Sequence, residues 1–344
     1  METNNRPVIA ARVCANTFGD ILEMTATCVA NDLFWSKCTH IVYDALRMKY
    51  LEDCSVTVQS PIYLPLIVKI GETWNISIVW SLPRYDDAEH VVHALSRAHN
   101  NDKFWDTLLT SVLHYGIKIL ELDMEVLWTA LAYSTQDFTL RIEDLMNAGC
   151  RIWVRRATLI NPIHPDKMPT FKNLIAPVLD KIVINSNQLH NVKMLNTSKG
   201  TYRCLEIGYE SSVANTMLIY RDMLQWFTWD DQYLLDIDTS GIEYVHKDTD
   251  LKAVAKYRHV SLKEIRRRLR FGCEWYQEHF DPNLCGCQLE FPSTKSVISY
   301  DNAQVRHKKI LLARDQMSGV IVGFLENDVI GDESLLHECH TILY

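Results

Sequence analysis

Tyr115-Gly116-Ile117-Lys118-Ile119-Leu120-Glu121-Leu122-Asp123-Met124-Glu125 is the stretch that decides how this chain is read. Glu121, Asp123 and Glu125 are spaced two apart, and a strand places residues so spaced on one face. Leu120 and Leu122 fall on the other face. The apolar flank Ile117–Leu122 and the amphipathic stretch Asp102–His114 before it predict a buried strand rather than a solvated acidic edge. Three carboxylates in a row on the inner face of a barrel repel one another, so at least one is expected to hold a proton near neutral pH. A carboxylic acid held in that state can protonate a leaving group. Lys118 has the opposite parity. It reads either as a lysine facing loop or helix, or as a partner for Glu121. Arg155 and Arg156 read either as solvated arginines or as positive charge at the mouth of the site.

Outward from this stretch, apolar strand-like runs alternate with amphipathic segments. The predicted strands are Val8–Val13, Thr39–Leu46, Trp74–Trp80, Ile117–Glu125, Arg151–Leu159, Lys181–Asn187, Arg203–Gly208 and Gly319–Leu325. Helical patterns cover Ala88–His99, Asp102–His114, Thr139–Ala148, Phe171–Leu179 and Ala303–Asp315. This alternation fits a (β/α)8 barrel, in which catalytic groups sit at the C-terminal ends of the strands. The interval between the seventh and eighth strands is long enough for an inserted α+β lobe over about 209–300. The expectation is one barrel domain spanning 1–344 with no separate carbohydrate-binding module.

Composition narrows the function classes. The 344 residues are 47% hydrophobic and carry a net charge of −8, which weighs against nucleic acid or an anionic membrane as the main partner. No apolar run reaches the roughly 18 residues needed to span a bilayer. Met1–Val13 has neither the basic start nor the apolar core of a secretory signal. The ten cysteines show no zinc-ligand spacing; Cys285-Gly286-Cys287 is too tight. No metal or other cofactor is expected.

The decisive stretch resembles the fourth strand of glycoside hydrolase family 18, the chitinases and chitinase-like lectins, whose pattern is G-F-D-G-x-D-x-D-x-E. Gly116 and Ile117 take the opening places, Glu121 and Asp123 the second and third Asp, and Glu125 the acid. Lys118 replaces the first Asp. The likeness continues in order along the chain. Trp35-Ser36-Lys37-Cys38-Thr39-His40-Ile41-Val42-Tyr43 is similar to the family's C-T-H-L-I-Y second strand. Ile298-Ser299-Tyr300-Asp301-Asn302 resembles V-S-Y-D-D, and Ser318–Asp328 resembles G-G-V-M-V-W-S-L-D-N-D-D.

The resemblance implies a substrate-assisted mechanism, in which the N-acetyl oxygen of the substrate is the nucleophile. Glu125 would be the acid, Asp123 the group that orients the acetamide, and Glu121 its neighbour. Tyr43 and Trp128 would contact sugar, and Trp74, Trp80, Trp226, Trp229 and Trp275 are further candidates for stacking. Cys14 and Cys38 are placed like the family's disulfide, and Cys273 with Cys339 is a weaker second pair. The partner implied is chitin or a chitooligosaccharide, bound by an extracellular monomer. Several places depart from the pattern. Gly323 stands where the family has a floor Trp, and Asn185, Asn187 and Gln188 stand where M-x-Y-D is usual. Hydrolysis is therefore expected to be weak or absent, with glycan binding retained. Restoring Trp at Gly323 together with Tyr at Asn187 is expected to raise activity. The alternatives are an active glycosidase that cleaves β-1,4-N-acetylglucosamine linkages with Glu125 as acid, and a barrel that binds another protein.

Overall fold

A computed structural model of the chain describes residues 7–14, 35–44, 47–50, 56–59, 63–81, 98–156, 168–186, 212–227, 232–247, 250–271, 275–323 and 334–344. The strands in chain order are β1 (Val8–Cys14), β2 (His40–Asp44), β3 (Arg47–Tyr50), β4 (Val56–Gln59), β5 (Ser77–Ser81), β6 (Ile119–Asp123), β7 (Arg151–Arg156), β8 (Leu179–Asn185), β9 (Tyr233–Asp238), β10 (Ser240–Lys247), β11 (Asp250–Ser261), β12 (Gln277–Asp281), β13 (Gly286–Phe291), β14 (Ser296–Tyr300) and β15 (Gly319–Gly323). Eight of them close into a barrel in the order β1-β2-β5-β6-β7-β8-β9-β15. The predicted fold class therefore holds. Barrel strands covered on both faces read as continuous apolar runs, and every residue of β6, β9 and β15 is buried.

The chain divides into two compact units. The first comprises 8–156 and 163–183, and carries β1 to β7 and most of β8. Its helices are α1 (Leu64–Trp74), α2 (Ala98–Tyr115), α3 (Met124–Tyr133), α4 (Thr135–Asn147) and α5 (Met168–Ile175). Local chemistry sets their ends. Pro65 opens α1 and Asn75 closes it in the left-handed region at φ 54°. Ser134 caps α4, its hydroxyl accepting from the Asp137 N–H at 3.2 Å. Gly116, at φ 65°, ends α2 and turns the chain into β6. The small hairpin β3–β4 is antiparallel.

The second unit holds 184–344 with short flanking pieces, and carries β9, β15, α6 (Val213–Trp226), α7 (Leu262–Phe271), α8 (Ala303–Gln316) and α9 (Leu335–Leu343). Between β9 and β15 lies the predicted α+β insertion, a sheet in the order β11-β10-β14-β13-β12 with α7 packed on it. Its core is Val260, Leu262, Ile265, Leu289, Phe291, Ile298 and Tyr300. Each such side chain contributes roughly 1.5–3 kcal/mol of burial free energy. Glu243 is buried in the insertion and held by Arg268 at 2.9 Å and Arg258 at 2.6 Å.

Two sequence expectations change here. The seventh barrel strand is Tyr233–Asp238 rather than Arg203–Gly208, which lies outside the described residues. The insertion accordingly begins at β10 instead of near 209. The cause is the long interval itself: a second buried run, Tyr-Leu-Leu-Asp-Ile-Asp, lay within it, and aspartates at alternate positions disguised it. The Cys14–Cys38 disulfide is also overturned. Cys14 pairs with Asp44 in the β1–β2 register, and Cys38 stands six residues before Asp44. At about 3.3 Å per residue the two are about 20 Å apart along the barrel, far beyond the roughly 4.4–6.8 Å a disulfide allows. Cys38 is a free, buried thiol, and burial pushes its pKa up to about 12. Cys339, half of the second proposed pair, is likewise a free buried thiol, while Cys273 lies outside the described residues.

Candidate functional site

Strand register settles which side chains enter the barrel. Arg12 on β1 reaches Glu121 on β6, although β2 and β5 stand between them in the barrel order. A side chain makes that span only through the interior. Neighbours in a parallel register point the same way, so Asp44, Ser81, Glu121 and Trp153 share the inward face. The alternate layer of Tyr43, Trp80, Leu120 and Ile152 points outward, toward the helices. Tyr43 is 1% exposed and Trp80 is fully buried. Neither stands where a sugar in the barrel mouth would meet it, which corrects the sugar-contact expectation for Tyr43. The inward residue that ends β2 is Asp44.

Glu121 is the centre of the layer. Arg12 Nη2 donates to both of its oxygens, at 3.0 and 2.8 Å. Arg155 Nη1 donates to Oε1 at 2.9 Å, and the Ser81 hydroxyl donates to the same oxygen at 3.1 Å. Arg155 Nε also lies 3.7 Å from Asp123 Oδ2. Glu121 and Arg12 are fully buried and Arg155 is 1% exposed. The sequence shows a row of like charges. The fold inserts two guanidiniums among them, so mutual repulsion does not govern this row. Charge-assisted hydrogen bonds from two guanidiniums to one carboxylate hold the partners in one geometry. Lys118 takes no part: it is exposed, at the entry of β6.

Strand β6 ends at Asp123, and α3 starts at Met124. Glu125 is therefore the second residue of a helix, at the C-terminal end of the barrel, and not the third member of one strand face; its side chain lies outside the described residues. Trp128 is on the same helix, its ring 5.5 Å from that of Phe171 on α5 in an edge-to-face contact. That contact makes Trp128 a packing residue between helices, and not a loop aromatic. Among the other candidates, Trp275 is 64% exposed on the insertion. Trp229 is outside the described residues.

In the second unit, Asp236 and Asp238 share one face of β9 and are buried. Gly323 lies opposite Asp238 in the β9–β15 register. A Cβ at Gly323 would stand 3.0 Å from Asp238 Cα, 3.2 Å from the Ile237 carbonyl oxygen and 3.3 Å from Asp236 Oδ1. A side chain here would have to push these neighbours back by a few tenths of an ångström, and the Thr239 hydroxyl donates a hydrogen bond to the Gly323 carbonyl. Asn185 ends β8 fully buried, while Asn187 and Gln188 lie outside the described residues. Lys309 on α8 is fully buried; it donates to the Ser186 hydroxyl at 3.0 Å and pairs with Asp301 of the Ser-Tyr-Asp-Asn segment. Burial pulls the Lys309 pKa down, and Asp301 opposes that shift.

Sequence reasoning missed Arg12, Ser81, Asp44, Asp236, Asp238 and Lys309. For Arg12 a signal existed, as a lone arginine within the apolar run VIAARVC.

Solved structures resemble this architecture along its whole length. Catalytic domain 2 of the Group II chitinase of Ostrinia furnacalis matches with a TM-score of 0.70 at 14% identity, covering 99% of this chain and 97% of that one. A family 18 chitinase from Cycas revoluta, solved with allosamidin, matches at 0.67 and 15% identity, covering 98% and 99%. A mutant class V chitinase from Nicotiana tobaccum, solved with NAG4, matches at 0.68 and 10% identity, covering 98% and 99%. The fold is shared with the family 18 chitinases. No protein-family model and no curated protein sequence matches the chain.

Proposed function

We propose that this chain is a chitinase-like glycan-binding barrel in which hydrolysis is weak or absent. The observation that carries the reading is the clamp on Glu121. In a substrate-assisted mechanism the carboxylates beside the acid orient and charge the acetamide of the substrate. Here Glu121 is held by Arg12, Arg155 and Ser81, and Arg155 also lies beside Asp123. Carboxylates already paired with guanidiniums stabilise a positively charged intermediate less, because their charge is compensated. Gly323 adds a second loss, since it offers no aromatic floor under a distorted sugar, and the close approach of β9 crowds any side chain placed there. Each lost transition-state contact lowers the rate about tenfold per 1.4 kcal/mol. The shared fold, and the chitooligosaccharide bound to the Nicotiana chitinase, support an N-acetylglucosamine oligomer as the ligand.

Calorimetry with chitohexaose, run beside product analysis, tests this reading. Binding with little or no product is expected. Turnover at rates typical of enzymes, around 1–1000 per second, abolished by Glu125→Gln, would establish the active-glycosidase reading instead. Absence of binding would move the barrel to protein recognition.

A further inference from the structure

Strand β12 forms one edge of the insertion sheet, and the chain from 275 to 281 is described without a break. Along it, side chains alternate between the two faces of the sheet. Tyr276, Glu278 and Phe280 take the face that α7 covers. The Tyr276 ring lies 6.2 Å from that of Phe291, Glu278 accepts from the Tyr300 hydroxyl at 2.9 Å, and Phe280 packs on the core. The register agrees: Gln277 pairs with Glu290, so continuing it by one residue places Tyr276 opposite Phe291. Trp275, Gln277 and His279 therefore fall on the opposite face. Strand β13 adds Gln288, across from His279, and Glu290, across from Gln277. Trp275 is 64% exposed and Gln277 is exposed, while His279, Gln288 and Glu290 are half-buried. His279 Nε2 stands 3.3 Å from Glu290 Oε2 and ties the two strands across this face.

We propose that this face of β12 and β13 is a second saccharide site, which binds a neutral oligosaccharide chain by stacking a sugar ring on Trp275. It goes beyond the reading of the barrel, because it uses no barrel residue. Specific small-ligand sites combine an aromatic surface with a few placed polar groups, and this face has both. The indole is a large, rigid apolar plate whose ordering costs little. The C–H face of a sugar ring matches it. The rim of that ring carries hydroxyls, and acetamides in N-acetylglucosamine. Beside the indole stand two side-chain amides that each donate and accept, and one carboxylate that accepts. An apolar peptide side chain would find only polar neighbours there. The pattern selects a neutral ligand rich in hydroxyls and amides.

Fluorine NMR of the full chain grown with fluorotryptophan tests the proposal; the resonance missing from W275F belongs to Trp275. Chitohexaose should shift that resonance saturably, with half-saturation below about 1 mM. The double variant Q277A/Q288A should weaken the Trp275 response by about fivefold or more, with unchanged melting. A Trp275 resonance that stays in place, or that moves in proportion to concentration without saturating, overturns the proposal. So does an unchanged response in Q277A/Q288A, or a saturable shift with hexaglycine and none with chitohexaose. The wild-type titration decides the matter even where a variant fails to fold. Calorimetry with chitohexaose separates the two sites. Heat of binding while Trp275 stays silent keeps the barrel reading and removes this site. A W275A chain that folds but binds no chitohexaose, beside a responsive Trp275 in the wild type, keeps this site and removes glycan binding from the barrel.

Discussion

Arg12 brings a formal charge into an otherwise apolar strand, and Glu121 is its reason for being there. Removing one partner of a buried pair leaves the other charge uncompensated, at a cost of about 3–5 kcal/mol. Arg12→Met should destabilise the fold by that order in urea titrations. The double variant Arg12→Met/Glu121→Met should cost less than the sum of the two singles, with a coupling of roughly 1–3 kcal/mol. Additive singles would show that the ion pair contributes nothing beyond packing. At Gly323 geometry weighs against an expectation drawn from sequence. Restoring the floor Trp forces a Cβ to within 3.0 Å of Asp238 Cα. Gly323→Trp should therefore lower stability by at least about 1–3 kcal/mol and leave chitooligosaccharide hydrolysis no faster. A rise in product release with unchanged melting would contradict this.

At the scale of elements, the β6–α3 junction separates what the pattern suggests from what the chain does. A spacing of two continues from Glu121 through Asp123 to Glu125, but Met124, Leu127 and Leu131 are buried at helical intervals, and the helical period wins after Asp123. Strand β2 shows the other use of periodicity. Its first residue, His40, enters the barrel and meets Trp153 of β7 with ring centroids 5.1 Å apart, while Trp153 donates to Asp180 at 2.8 Å. Burial lowers the His40 pKa from 6.5 to about 4, with Asp180 opposing. The folded state thus favours neutral His40, and the unfolded chain binds the proton first. Its contribution to stability is complete above pH 6.5 and falls as pH drops from 6.5 toward 4. His40→Asn should flatten the stability profile across that window. An unchanged acid limb in denaturation measured from pH 7 to about 4 would show that other groups set it.

For the molecule as a whole, the register of β1 and β2 predicts a redox-insensitive fold in this region. The thiols of Cys38, Cys150, Cys287 and Cys339, all buried, should react with a thiol reagent only on unfolding. The sequence by itself determined the barrel class, the site of the insertion between the last two barrel strands and the carboxylate stretch, because hydrophobic period and local order are written along the chain. It did not determine the seventh strand, since two apolar runs competed for one place in a long interval. Only the tertiary structure decided that Arg12, from a strand more than a hundred residues away, neutralises Glu121. The same holds for the outward direction of Tyr43 and for the close approach of β9 to Gly323. These are matters of register and of contact across a closed barrel, and neither is encoded in the spacing of neighbours along the chain.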